Sequence, residues 1–368
     1  MEKTKSNIYP WVVVALLWVV ALLNYMDRQM LSTMQEAMKV DILELQKAET
    51  FGALMAIFLW IYGIVSPFAG MVADKVSRKW LVVASLFVWS LVTFLMGYAT
   101  SFRQLYLLRG LMGISEALYI PSALSLIADW HEGKSRSLAT GIHMTGLYAG
   151  QAIGGFGAAV AASLSWQTTF HWFGIIGIAY SVILMVALKE KRSEPSLQPA
   201  QTIAQPSAPT AKNSLFAGLG VVLSTWAFWI ILFYFAAPSL PGWATKNWLP
   251  TLFSENLGIP MEKAGPMSTI TIAFSSFLGV IIGGSLSDKW VRKNIRGRIY
   301  TSAIGLGMTI PALVLLGLGH SLFAIVAAGM MFGIGYGLFD TNNMPILCQF
   351  VASKYRATGY GIMNMVGV

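Results

Sequence analysis

The sequence predicts an all-α polytopic membrane protein made of two pseudo-symmetric six-helix bundles, and three observations carry that prediction. Hydrophobic residues make up 56% of the 368 residues and charged ones only 11%, too few charges to coat a water-soluble globule. The apolar residues fall in runs long enough to cross the ~30 Å hydrocarbon core of a bilayer as helices. The first half of the chain is also repeated in the second. Residues 70–79, GMVADKVSRK, and 284–293, GSLSDKWVRK, share Gly, Asp four later, Arg four after that and then Lys, each closing a long apolar run. Gly113, Glu116 and Pro121 match Gly337, Asp340 and Pro345, while Arg136, Gly141 and Ile142 match Arg356, Gly361 and Ile362. The offsets of 214, 224 and 220 residues differ by loop lengths only. A half-chain repeat in so apolar a protein marks a secondary transporter, whose two bundles rock about a site held between them.

Taken in order, spans are expected at 11–31, 51–72, 80–98, 105–128, 138–162 and 170–188, then at 216–236, 268–287, 300–318 and 323–350. The run from Trp11 leads into NYMDR with no small-residue cleavage site behind it, so it reads as a first transmembrane helix and not a signal peptide. Gly146, Gly150 and Gly154 recur every four residues and predict a smooth face for close packing of the fifth helix. Pro238, Pro241, Gly242 and Pro250 interrupt the stretch around the end of the seventh span, which fits either a broken helix or an extracellular turn. An eleventh span begins near Ala357 and is cut off at Val368. By the repeat, the intact protein is expected to have twelve spans, the counterpart of residues 149–189 lying beyond the chain. The expected domains are an amino-terminal six-helix bundle over 1–189, a flexible linker rich in Pro, Ala, Ser and Gln over 190–213, and an incomplete second bundle over 214–368.

Charge sets the expected orientation. Loops on the amino-terminal side carry 18 Lys and Arg, against five on the other (Lys39, Lys47, Arg103, Lys246 and Lys263). The positive-inside rule then puts the amino terminus and the linker in the cytoplasm. This bias accounts for the net charge of +9 without nucleic acid as a partner, since the basic residues form no continuous stripe. A single cysteine, Cys348, excludes an internal disulfide, and His131, His143, His171 and His320 are too scattered to suggest a metal site. No cofactor is indicated. No nucleophile, base and orienter cluster in sequence, and no Gly-rich phosphate loop precedes Lys-Ser or Lys-Thr, which argues against an enzyme or an ATP-driven pump.

Two arginines, Arg28 and Arg109, fall inside expected spans. At 1.5 Å per residue, Arg28 lies about 25 Å along the first helix and Arg109 about 6 Å into the fourth, so both reach the outer third of the bilayer. Asp27 adjoins the first, and Glu116 follows Arg109 by two turns on the same helix face, about 10 Å deeper. Charges at such depth cost several kcal/mol unless paired or wet, and they normally face a cavity and mark an ion or proton path. One reading makes Glu116 and Asp27 reversible proton carriers, with the arginines holding the acids or an anionic substrate. The other is a static Asp27–Arg109 pair locking helix one to helix four, with Arg28 snorkelling outward. His143 is either a proton shuttle or a structural donor. In the second half the equivalent region reads DTNNMP at 340–345, with Asn364 one helix on. Asn342, Asn343 and Asn364 suit sugar-like hydroxyls, or merely bond helices together. The combination suggests a substrate with one anionic group and several hydroxyls.

GMVADKVSRK and GSLSDKWVRK resemble the duplicated motif of the major facilitator superfamily, placed after the second and eighth helices, and the likeness covers nearly the whole chain. Within it, NYMDR at 24–28, Arg109, EALYIP at 116–121 and WLPTLF at 248–253 resemble the anion:cation symporter family, which includes proton-coupled sugar-acid and organic-anion carriers. The resemblance implies the major facilitator fold, proton coupling by Asp27 and Glu116, and an anion site at Arg28 and Arg109 with Tyr25 beside them. It implies a sugar side at Asn343 and Asn364 with neighbouring Asn342. In the repeated motif, Gly70, Asp74 and Arg78 with Gly284, Asp288 and Arg292 are expected to gate the cytoplasmic helix ends, the two acids meeting helix amino termini in the outward-open state. The expected partners are protons, a small anion and the lipid bilayer of the cell's inner membrane, with the protein a monomer. NYMDR, Glu116-Ala117-x-Tyr119 and Ile127-Ala128-Asp129 also resemble the spinster-like branch, whose members export lysolipids or sphingolipids, so lipid export stands as an alternative. A membrane sensor or inactive remnant that binds ligand without moving it is the third reading.

Overall fold

The structure, a computed structural model, describes residues 8–131, 133, 135–191 and 217–367. Most of the linker, 192–213, and with it Lys3, Lys5, Lys134, Arg192 and Lys212, lies outside the described residues. α1 (Tyr9–Thr33) leaves the amino-terminal face, α2 (Gln35–Asp41) follows it, α3 (Ala48–Lys75) returns and α4 (Arg78–Met96) crosses again. α5 (Phe102–Ala117) and α6 (Tyr119–Trp130) form one 29-residue span broken at Leu118. α7 (Arg136–Gly154) and α8 (Gly157–Leu164) meet at 46°, and α9 (Trp166–Ala187) closes the first half. In the second half α10 (Ala217–Ser224) and α11 (Trp226–Leu257) meet at 85°, followed by α12 (Met261–Val291) and α13 (Gly297–Leu318). α14 (Leu322–Asp340) and α15 (Asn343–Phe350) share a second broken 29-residue span, and α16 (Arg356–Gly367) follows. Among the described residues, eight helices are long and apolar enough to cross a membrane, and ten spans result if each bent pair counts as one. The ten coincide with the ten expected from the sequence.

Local chemistry explains the boundaries. Ser77, Ser101, Ser165 and Ser321 cap α4, α5, α9 and α14, each hydroxyl accepting from the amide three residues on. Gly146, Gly150 and Gly154 of α7 lie against Trp18, Leu22 and Met26 of α1, and a Cβ on Gly150 would overlap the Leu22 backbone. The expected smooth face is therefore the α1–α7 seam. One expectation fails. The prolines near the end of the seventh span neither break the helix nor make a turn, since α11 runs through Pro238 and Pro241 to Leu257, and the bend falls earlier, at Thr225. Ser239 and Thr245 in the same stretch donate to the carbonyls four residues back, Phe235 and Pro241, both at 2.8 Å, and proline inside a helix is tolerated in membrane spans.

The halves meet along α3–α16 and α7–α12. At the amino-terminal face two matched contacts join them. The Asp74 carboxylate accepts from the amides of Ala357 (3.0 Å) and Thr358 (2.8 Å) and from the Thr358 hydroxyl (2.6 Å), at the start of α16. Asp288 accepts from the amides of Ser137 (3.1 Å) and Leu138 (2.8 Å), at the start of α7. Free amides and the positive end of the helix dipole make each helix start a natural partner for a carboxylate. Gly70 and Gly284 let the backbones approach, since a Cβ at either would strike Ala357 or Leu138. Arg78 bonds Asp129, with a further 3.1 Å bond to the Ser353 carbonyl across the interface. Its sequence counterpart Arg292 is exposed beyond the end of α12. Arg298 takes that place instead, donating to Asp288 (3.4 Å), Ser137 Oγ (2.9 Å) and the Gly133 carbonyl (2.6 Å). Equal spacing within the two motifs misleads here, because the turn after α12 delivers an arginine from the next helix.

Candidate functional site

α1, α3 and α5 converge on a cluster of charges. Asn24, Asp27 and Arg28 share one face of α1, while Arg109, Met112 and Glu116 share one face of α5. Phe58 and Tyr62, one turn apart on α3, stand between them. Glu116 is fully buried, and its Oε2 accepts from Arg28 Nε at 2.8 Å and Asn24 Nδ2 at 2.7 Å. The Arg28 guanidinium also lies over the rings of Phe58 and Tyr62, each at 4.7 Å, and Tyr25, at 5.0 Å. Arg28 thus points inward, not out toward the interface, and no ion pair joins Asp27 to Arg109 among the described residues. Asp27, 8% exposed, accepts from Thr93 Oγ of α4 at 3.2 Å.

Arg109 is a buried charge with little direct compensation among the described residues. Only 1% exposed, it lies 4.5 Å from the Phe58 ring centroid and donates to Met112 Sδ at 3.1 Å, while its Nε has no hydrogen-bond partner. No carboxylate lies within 4.0 Å of it among the described residues. A buried cation costs several kcal/mol unless an anion compensates it. Arg28 Nη2 and Glu116 Oε1 are likewise buried without partners. Donors without acceptors beside aromatic faces suit a planar carboxylate.

The second half reaches this cluster through α16. Asn364 Nδ2 donates to Tyr62 Oη at 2.5 Å, so an amide of one half bonds a ring that flanks Arg28 in the other. Asn343 Nδ2 donates to Asp340 Oδ1 at 3.1 Å, and Asp340 accepts from Tyr148 Oη of α7 at 3.0 Å. Asn342 stands apart, its Nδ2 bonded to the Leu338 carbonyl of its own helix. Tyr25, Arg28, Arg109, Glu116 and Asn364 are therefore gathered and Asp27 flanks them, while Asn343 is bonded to Asp340 and Asn342 to its own helix. His143 is tied to the fold: Tyr119 Oη bonds the Leu17 carbonyl and His143 Nε2, both at 2.9 Å. A hydroxyl has one hydrogen. With that hydrogen on Leu17, the ring donates from Nε2, the arrangement of a structural donor.

Sequence reasoning did not single out Asn24, Phe58, Tyr62, Thr93 or Tyr148, and it matched Asp340 to Glu116 without giving it a role. Phe58, Tyr62 and Ser66 recur every four residues, the signal that identified the glycine face of α7. Asp340 ends α14 much as Glu116 nearly ends α5, each at the break of a 29-residue span.

Charges sealed between helices, matched contacts joining two halves, and eight to ten candidate spans among the described residues are the features of a multi-pass membrane protein. A model of the Major Facilitator Superfamily matches residues 17–368, and the chain belongs to that superfamily. It is 24% identical to the D-galactonate transporter of Escherichia coli, over 95% of this chain and 90% of that protein. It is also 24% identical to the probable galactarate/D-glucarate transporter GarP of Escherichia coli, over all of this chain and 86% of that one. Among solved structures, a bacterial homologue of the human lysosomal transporter spinster, inward-facing and unoccupied, superposes with a TM-score of 0.63 at 21% identity, over 98% of this chain and 81% of the other. Family and relatives are transporters, not enzymes.

Proposed function

We propose that the protein is a secondary active carrier that moves a sugar acid or related organic anion together with protons by alternating access. Residues 1–189 and 214–368 act as the two rocking bundles, joined by 190–213. The observation that carries this reading is Arg109, a buried guanidinium with an unbonded Nε and no carboxylate within reach. An anionic substrate supplies the missing charge. The four charged groups of the cluster, Arg28, Arg109, Asp27 and Glu116, sum to zero, so a bound monoanion leaves an excess negative charge that one proton neutralises. With that proton on Glu116, Arg28 is released from its carboxylate and turns to the substrate. Anion and proton thereby favour each other's binding. Tyr25 flanks the anion, and Asn343 and Asn364 meet its hydroxyls from the other half. The names of the relatives point to the same substrate class. The likeness to the spinster homologue is one of fold, and the charged, enclosed character of the cluster suits a small anion better than a lipid.

The direct test is uptake of aldonates, hexuronates and lysolipids into proteoliposomes under an imposed pH gradient. Gradient-stimulated uptake of a sugar acid is expected, and stimulation by lysolipids alone sinks the reading.

In this reading the amino-terminal face is cytoplasmic, which the excess of basic residues supports, and the protein is a monomer of the inner membrane. Asp74 and Asp288 then hold the cytoplasmic side closed through their bonds to the starts of α16 and α7. A carboxylate bonded to amides contributes roughly 1.5–3 kcal/mol. Asp288→Asn is expected to shift the population toward the cytoplasm-open form by at least about tenfold. The readout is the labelling rate of a cysteine placed at Leu138 in a Cys348→Ser background, and an unchanged rate rejects the gating role.

A further inference from the structure

Among the described residues, Asp27 is hydrogen-bonded by a single hydroxyl, which has two places to put its hydrogen. Thr93 Oγ lies 3.2 Å from Asp27 Oδ2 and 3.0 Å from the carbonyl of Trp89, one turn back on α4. Both Asp27 and Thr93 are buried, at 8% and 1% exposure. A threonine hydroxyl has one hydrogen and two lone pairs, so it donates to one of these oxygens at a time. The two choices correspond to the two states of the acid. When Asp27 is ionised, Thr93 donates to it and the Trp89 carbonyl keeps only its helix bond. When a proton from water binds Oδ2, the new O–H donates to Thr93 Oγ, and the threonine hydrogen turns to the Trp89 carbonyl. No polar atom loses its partner in either state, and neither backbone nor rotamer has to move.

We propose that Thr93 is the positioning residue of a reversible proton site at Asp27, a hydroxyl relay that serves the carboxylate in both its forms. This rests on the carrier reading above and adds a second proton site to Glu116. The groups that face Asp27 are few. Arg109 and Glu116 of α5 lie within electrostatic reach, and Arg28 adjoins it on α1. α7 meets α1 at this height through Gly150 and Gly154, and the charged residues of α4, Arg78 and Lys79, lie at its opposite end. Thr93 is thus the neutral hydrogen-bond partner through which the protein holds the proton at this position. Its bond to the ionised acid is charge-assisted and stronger than the bond it accepts from the neutral acid. Removing the hydroxyl therefore penalises the ionised form more.

Thr93→Val keeps the shape and removes the relay, and Thr93→Ser keeps the relay. In proteoliposomes, the pH profile of sugar-acid uptake is expected to move upward by about one pH unit in Thr93→Val, a tenfold change in proton affinity, and to stay in place in Thr93→Ser. An infrared titration of the purified protein, following a carboxyl band assigned by its loss in Asp27→Asn, gives the same comparison should Thr93→Val be inactive in transport. A band that titrates in the wild type and does not move in Thr93→Val overturns the relay while leaving proton coupling intact. Wild-type uptake that is indifferent to pH overturns the proton reading of the site and the relay with it. Equal shifts in the Val and Ser variants show a packing effect and also overturn the relay.

Discussion

Glu116→Gln is expected to abolish sugar-acid accumulation driven by a pH gradient while leaving counterflow exchange of labelled for unlabelled substrate in place. Glutamine keeps the shape and an oxygen that can still accept from Asn24 (2.7 Å), but it lacks the charge that holds Arg28 at 2.8 Å in the ionised acid. What disappears is the ability to alternate between charged and neutral forms. A carrier fixed in the neutral form presents Arg28 to the anion permanently, and it moves the anion in both directions without a proton to draw it uphill. Gradient-driven accumulation should fall to the level of protein-free vesicles. The substitution also leaves Arg28 without its countercharge, which costs about 3 kcal/mol of stability, at the low end for breaking a buried pair because the amide oxygen remains. Coupled uptake that persists unchanged in this variant rules out Glu116 as the proton carrier.

Arg109→Met should have the opposite signature, with stability gained and binding lost. The side chain removed is buried, stacked on Phe58 and bonded only to the soft sulfur of Met112. An unbranched apolar chain can fill that space next to Phe58 and Met112, and exchanging a poorly compensated charge for an apolar group is worth roughly 1–3 kcal/mol. The bond this guanidinium makes to a bound carboxylate is charge-assisted, so its loss weakens substrate binding by about 100-fold. A higher melting temperature combined with weakened calorimetric binding identifies a residue kept for function at the expense of stability. If both fall together, Arg109 is a structural strut and the anion binds elsewhere.

The spans were legible because a bilayer demands about 20 apolar residues from each helix, a requirement with few alternative solutions. Azimuth was not. Placing Asp27, Arg28 and Arg109 in the outer third and Glu116 about 10 Å deeper did not reveal that Arg28 turns inward to Glu116, because that depends on where the aromatic wall of Phe58 and Tyr62 stands. Proline signals near residue 240 were misleading for a different reason: a membrane helix tolerates proline in its interior, and α11 runs through Pro238 and Pro241, which a rule that counts helix breakers does not foresee. Arg298 was missed because it comes from a different helix than the motif it completes. The amides divided in the same way, since composition identifies Asn342, Asn343 and Asn364 as equals and only the backbone break at 341–342 turns the first onto its own helix.

Asp74 and Asp288 both grip main-chain amides. Every amino acid except proline presents the same N–H, so the receiving positions 137, 138 and 357 are chemically anonymous to the acid that holds them. Drift at those positions among descendants of this chain can proceed without loosening the grip, whereas the two carboxylates have no substitute of equal charge and length.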